Sequence, residues 1–241
     1  MVSTETASGQ LALAIAAQDK ASFDNFWTGS NTELVQALQA MTGAEGARVI
    51  YLYGPPGAGK SHLLFATLRM AEQANLAGSF QPLSNPHVSA EMLEMVDPSH
   101  LVCLDDVHLW HGDAAKERAL FALFERIKHA RGRLLVTATQ PPEKSGFGLR
   151  DLVSRLSSGL IYPLHGLNDE QMLAALSLRA EQRGLSVSTD VFKYLLSRMS
   201  RDTSAIFGLL DDIDRASLAE QRRVTIPFIQ QLLKRAEGET S

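Results

Sequence analysis

The run Gly54-Pro55-Pro56-Gly57-Ala58-Gly59-Lys60-Ser61 places two glycines, a lysine and a hydroxyl in the pattern G-x-x-x-x-G-K-[ST]. That is chemistry for phosphate. The glycines let successive backbone N–H groups turn inward onto phosphate oxygens, and a helix beginning at the lysine adds its dipole. Lys60 reaches the β- and γ-phosphates, and the Ser61 hydroxyl is placed to ligate Mg²⁺. The cofactor expected is ADP or ATP with Mg²⁺, held by Pro55, Pro56, Gly57, Ala58, Gly59, Lys60 and Ser61, with His62 beside them. The pattern carries meaning only between a strand and a helix. Val49-Ile50-Tyr51-Leu52-Tyr53 before it reads as a buried strand, and Leu63, Leu64, Leu68 and Ala71 after it share one helical face.

A second pair of groups follows about 45 residues on, where the apolar run Leu101-Val102-Cys103-Leu104 ends in Asp105-Asp106. Asp105 is a candidate for the Mg²⁺ shell, together with Ser61. Asp106 stands where many ATPases carry a glutamate that polarises the attacking water. Its shorter side chain predicts slow hydrolysis. Thr137 and Thr139 end the next apolar run. A polar side chain there either orients water near the γ-phosphate, with Thr139 as the catalytic candidate, or is an ordinary strand threonine. His108 and His111 lack a third ligand and do not read as a metal site. Lys128, His129, Arg131 and Arg133 form a basic cluster, read either as a solvated helix end that complements the helix dipole or as a surface that brushes DNA.

These groups need a scaffold. Strands are predicted over 49–53, 101–104, 134–139 and 159–164, with helical patterns between them. Strands separated by helices imply an α/β fold with a doubly wound parallel sheet covered on both faces. After Gly166 the pattern is helical only. Asn168 with Gln171 reads as a capping box for a helix to about Arg183. Thr189 is predicted to cap a second helix. Ile206, Leu209, Leu210 and Ile213 mark a third, and Thr225 with Pro227 opens a fourth. The expected domains are an arm over 1–20, a nucleotide-binding domain over 21–166 and a small helical domain over 167–241.

The chain has 241 residues, 45% of them apolar, enough for one large domain and a satellite. A net charge of -4 disfavours a broad duplex-binding face. The single cysteine, Cys103, lies in an apolar run and reads as an inert buried thiol. No secretory signal and no spanning helix is read, so a soluble cytoplasmic protein without membrane contact is expected.

The segment Phe23-Asp24-Asn25-Phe26 with Gly29 and Asn31, the Gly54 to Ser61 loop, the Asp105-Asp106 pair and Leu152-Val153-Ser154-Arg155-Leu156 ahead of a glycine occur in that order. Together they resemble the AAA+ module of DnaA, the bacterial replication initiator, over about residues 20 to 236. The chain stops where DnaA continues into a DNA-binding domain. Gln10-Leu11-Ala12-Leu13-Ala14-Ile15 resembles the short motif that docks on the DNA polymerase sliding clamp. The combination resembles the Hda family of DnaA-homologous regulators.

The resemblance implies a P-loop AAA+ fold with a C-terminal all-helical lid. It implies negative regulation of replication initiation, through nucleotide and clamp binding and stimulated ATP hydrolysis by DnaA. The partners implied are DnaA, the clamp (beta subunit), a second copy in a dimer, and DNA only indirectly or weakly. Phe23, Phe26 and Asn31 would shape the base and sugar side of the pocket. Arg155 would be the arginine finger, and Gln10, Leu11, Leu13 and Ile15 would contact the clamp. Two departures stand out. Ser204 occupies the place of the family's lid arginine, with Arg201 three residues earlier, and Ala14 occupies a place that tends to be proline. Blander readings remain open beside these: a structural ion pair of Arg155 with Asp151, and Leu11, Leu13 and Ile15 packed on the protein's own surface. So do two other functions, a self-sufficient ATPase and a DnaA-like or helicase-loader ATPase that assembles on DNA.

Overall fold

The computed structural model describes residues 21–198, 203–220 and 222–238. The clamp-like hexapeptide 10–15 and Arg201 lie outside the described residues. Five parallel strands, β1 (Val49–Tyr53), β2 (Gly78–Pro82), β3 (Leu101–Asp105), β4 (Arg133–Ala138) and β5 (Leu160–Pro163), form one sheet in the order β2-β3-β4-β1-β5. The central strands read as unbroken apolar runs because both of their faces are covered. Tyr51, Val102, Leu104, Leu134 and Val136 enter one core with Leu120, Leu123, Phe124 and Ile127. The alternate residues Ile50, Leu52, Leu101, Cys103 and Leu135 are equally buried.

β2 escaped the sequence pattern. Its residues, Gly78-Ser79-Phe80-Gln81-Pro82, sit at the sheet edge, Gly78 exposed and the rest half-buried, so no apolar run marks them. β4 ends at Ala138, one residue short of the expected strand, and Thr139 lies beyond it.

Helices α1 (Thr32–Met41), α2 (Lys60–Gln73), α3 (Ala90–Glu94), α4 (Ala114–His129) and α5 (Arg150–Leu156) accompany the strands. α4 is the longest of these, and Asp113 caps it by accepting from Ala115 N at 3.0 Å and Lys116 N at 3.2 Å. Each fully buried large apolar side chain on its inner face contributes about 1.5–3 kcal/mol.

The chain divides between His165 and Gly166, except that Pro56–Ala58, in the phosphate loop, group with the second unit. The second unit is α6 (Asp169–Gln182), α7 (Thr189–Arg198), α8 (Thr203–Glu220) and α9 (Ile226–Gly238). The Asn168–Gln171 capping box forms, with Gln171 N donating to Asn168 Oδ1 at 2.8 Å and Asn168 N to Gln171 Oε1 at 3.0 Å. Thr189 does not cap α7. The first accepting carbonyl is Ser188 O, so Thr189 is already helical. Phe228 N donates to Thr225 Oγ1 at 3.4 Å, as a cap for α9. The core of this unit is Met172, Leu176, Phe192, Leu195, Leu210 and Ile229. Among the described residues no helix is long and apolar enough to cross a membrane.

Candidate functional site

The loop between β1 and α2 is shaped by its glycines. A Cβ on Gly54 would stand 2.5 Å from Leu164 O, so only glycine lets the strand exit pass under β5. Gly59 has φ +100°, and the Phe26 ring lies 3.0 Å from where its Cβ would be. Lys60 opens α2 and is 7% exposed. Its Nζ donates to Gly54 O and Pro55 O, both at 3.0 Å. Burial pushes the ammonium pKa down, opposed by Asp106 and Asp105. The lysine thus lies folded against its own loop, with its charge held over the ends of β1 and β3.

Asp105, the last residue of β3, is the hub on the acidic side. It is 6% exposed. Ser61 Oγ donates to Asp105 Oδ2 at 2.6 Å, and Thr137 Oγ1 donates to Asp105 Oδ1. Thr137 Oγ1 in turn accepts from Asp106 N at 2.9 Å. Burial pushes the Asp105 pKa up against the lowering effect of these two hydroxyls and of Lys60. Thr137 therefore holds the acidic strand end in place. Thr139 lies half-buried past the end of β4.

Asp106 adopts φ +59°, the left-handed region that costs a non-glycine residue about 1 kcal/mol. Strain of this kind gathers at working sites. His108 Nδ1 lies 4.0 Å from Asp106 Oδ1, and burial pushes the imidazole pKa down. His111 Nδ1 hydrogen-bonds His108 O instead of sharing a ligand position with it.

The Ser61 and Asp105 oxygens fit a hard cation. Octahedral Mg²⁺ with bonds of 2.0–2.1 Å separates neighbouring ligand oxygens by about 2.9 Å. The observed 2.6 Å needs only a small opening and a turn of the hydroxyl.

The segment before α1 packs on the start of α2. Ser22 N donates to Asn25 Oδ1 at 3.1 Å, and Phe26 N to Phe23 O at 3.3 Å, which makes a tight turn. The Phe26 and His62 rings lie 5.6 Å apart, and His62 Nε2 bonds Ser22 O at 2.9 Å. Phe26, Gly59 and His62 are therefore brought together. Asn31 is buried and bonds both ways to His165, donating to its O at 3.3 Å and accepting from its N at 3.0 Å. Its amide ties the chain before α1 to the exit from β5.

Arg155 is on α5, which leads into the edge strand β5. Its Nε lies 2.7 Å from Glu125 Oε1 on α4, with the side chain 38% exposed. The ion pair crosses to another helix and does not involve Asp151. α5 is held by a buried carboxylate that the sequence reading missed. Glu117, 3% exposed, accepts from Gly112 N at 2.8 Å, Gly148 N at 3.2 Å and Leu149 N at 2.7 Å. Burial pushes its pKa up, but the three amide donors prevail and hold the carboxyl below its usual range. A signal existed in the sequence. Glu117 shares the helical face of Leu120, Phe124 and Ile127, where an acid needs buried donors.

Residues 17–163 match the family model described as the bacterial DnaA ATPase domain. The chain belongs to the DnaA-related AAA+ family. Residues 169–233 match the model of the Hda lid domain, and this domain pair is that of Hda, the DnaA-homologous AAA+ regulator. Solved structures share the fold. Domain III of Thermotoga maritima DnaA is 19% identical, with a TM-score of 0.72 over 89% of this chain and 95% of that one. Aquifex aeolicus DnaA bound to AMPPCP is 22% identical, with a TM-score of 0.62 over 80% of this chain and 65% of that one. The Holliday junction branch migration motor RuvB of Thermotoga maritima is 16% identical, with a TM-score of 0.64 over 90% and 72%. Against two of the initiator structures the chain spans only 64% and 65% of their length.

Proposed function

We propose that this chain is a negative regulator of replication initiation that binds nucleotide, docks on the sliding clamp and stimulates ATP hydrolysis by DnaA. The observation that carries the reading is Arg155, whose ion pair is with Glu125 on α4 and not with the Ser61–Asp105–Thr137 cluster of the chain's own phosphate site. A guanidinium suits the task because its charge is permanent and its fork matches phosphate oxygens. Offered to another molecule's γ-phosphate, it exchanges one anion for another. A supplied finger accelerates hydrolysis by about 10³–10⁵, or roughly 4–7 kcal/mol of barrier.

The chain's own nucleotide would serve structure more than turnover. Lys60 turns from the loop carbonyls to the phosphates, and the glycine loop cradles them. Phe26 and His62 flank the base side. Ser61 and Asp105 would hold Mg²⁺, which neutralises charge on the β- and γ-phosphates. Asp106 is one methylene shorter than the usual glutamate, so intrinsic turnover stays well below about 1 s⁻¹ on the scale of ordinary enzymes. The arm residues Gln10, Leu11, Leu13 and Ile15 supply the clamp contact, which brings a dimer of the protein to DNA indirectly, in the cytoplasm.

The test is a reaction containing DnaA-ATP, DNA-loaded clamp and this protein. Arg155→Ala is expected to retain nucleotide and clamp binding and to lose the stimulation of phosphate release. Undiminished stimulation by that variant removes Arg155 from the mechanism.

A further inference from the structure

We propose that the turn Lys128–Arg133 at the end of α4, with Arg48 beside it, is a contact surface for the phosphate backbone of DNA. The turn and the loop before β1 meet at the end of the sheet where β1 and β4 begin. Leu134 N donates to Arg48 O at 2.8 Å, and Arg48 Nη1 donates to Arg131 O. Arg133 Nη2 donates to Gly43 O at 2.8 Å. Four permanent cations from two separate segments are thus gathered in one corner, on a chain whose net charge is -4.

The gathering is costly, which argues against a chance run. Gly132 must be glycine, since a Cβ there would stand 1.9 Å from Pro98 O. The left-handed residue that ends α4 is the one before it, Arg131, at φ +57°. Helices most often place glycine at that position. Here a long cation takes the strain, and its exposed side chain makes no hydrogen bond or ion pair among the described residues. Lys128 is exposed and equally free of side-chain partners there. Arg133 is half-buried, and burial together with the nearby Arg48 pushes its pKa down. Like charges are being held together: among the described residues no ion pair joins Arg48, Lys128, Arg131 or Arg133 to a carboxylate, although Glu45 and Asp97 lie on the neighbouring segments.

The chemistry favours nucleic acid over an acidic protein. Three of the four groups are guanidiniums, whose fork fits two phosphate oxygens at once. Protein interfaces centre on apolar and aromatic side chains, whereas DNA interfaces are polar and positively charged. Among the described residues none of the exposed large hydrophobics, Met92, Met95, Leu109, Leu160 and Leu178, belongs to the turn or to the loop before β1. The surface is small, so the contact is sequence-independent and modest. It does not depend on Arg155 or on the regulator reading.

The test is fluorescence anisotropy of a labelled mixed-sequence duplex with the full chain, repeated over a range of salt. Four phosphate contacts give a slope of log K against log salt of about -3 to -4. Arg131→Gly and Lys128→Ala are each expected to reduce that slope by about 1, which weakens binding about eight-fold at 0.1 M salt relative to a 1 M reference. Arg131→Gly keeps the carbonyl that Arg48 uses and suits the left-handed backbone, so its melting temperature does not fall. Arg155→Ala binds the duplex as the parent does. Absence of duplex binding at low salt, a slope near zero, or an unchanged slope in both variants overturns the proposal. So does binding of polyglutamate, lost in both variants, without binding of DNA.

Discussion

Arg155 Nε lies 2.7 Å from Glu125 Oε1, so the arginine proposed to serve another molecule's phosphate is held by a carboxylate of its own chain. The pair is partly exposed, and exposed pairs are worth about 0.2–1 kcal/mol. That is a weak hold, easily exchanged for a γ-phosphate, yet it competes with the exchange. Glu125→Gln is expected to raise clamp-dependent stimulation of DnaA hydrolysis by up to about five-fold, read as phosphate release against an Arg155→Ala baseline. A fall would mean that Glu125 orients the guanidinium toward its target.

Thr137 is predicted to support the acidic strand end and not to act on water. It donates to Asp105 Oδ1 and accepts from Asp106 N, both within the buried strand ends. Thr137→Val preserves shape and leaves both groups unsatisfied, at a cost of about 1–3 kcal/mol. The calorimetric melting temperature is expected to fall by about 2–12 °C. Mg²⁺-dependent nucleotide binding should weaken more than binding measured in EDTA. Unchanged melting with lost turnover would give the threonine the catalytic role instead.

The arm's clamp contact is predicted to be micromolar. Buried anchors of the size of Leu11, Leu13 and Ile15 contribute about 1.5–3 kcal/mol each, offset by the ordering of a segment without proline. Replacing Gln10, Leu11 and Leu13 by alanine should abolish co-elution with the clamp and leave nucleotide binding intact. Ala14→Pro should tighten clamp binding by about two- to five-fold, by limiting the free arm. Retained co-elution of the triple variant would show that the arm is not the anchor.

What was legible in the sequence was set by local pattern. β1, β3, the phosphate loop and the Asn168–Gln171 capping box depend on residues near one another in the chain and stand where the pattern placed them, and β4 is displaced by one residue. β2 was illegible because an edge strand needs no apolar run. Thr137 was singled out, but its grip on Asp105 joins residues 32 positions apart, and no spacing rule foretells which hydroxyl meets which carboxylate. Arg155 was found, while its partner was sought on its own helix at Asp151, one turn away. The pairing with Glu125 depends on how α5 lies against α4. Arg131 was read for its charge. Its left-handed backbone, next to Gly132 and the close approach to Pro98, is visible only in the fold.

Glu117 supplies a pH-dependent link between α4 and the helix that carries Arg155. Its two oxygens collect Gly112 N, Gly148 N and Leu149 N at 2.7–3.2 Å, and Leu149 is the residue from which α5 starts. These donors hold the folded carboxyl below the usual value of 4.5 against the effect of burial. A carboxyl depressed in the folded state contributes stability that is fully present above the unfolded pKa and is lost as pH falls through the folded one. Glu117→Gln removes the charge and leaves one buried oxygen to serve donors that used two. Charge-assisted bonds are worth about 1.5–3 kcal/mol, so a loss of about 2 kcal/mol is expected at pH 7, read by denaturant titration. The difference between variant and parent should shrink as pH drops below about 4. Because the loop 148–149 loosens, stimulation of DnaA hydrolysis should fall in the variant even at temperatures where it remains folded, while clamp and nucleotide binding persist. A stability difference that stays constant from pH 7 to pH 3 would show that the carboxylate's charge does not hold this loop.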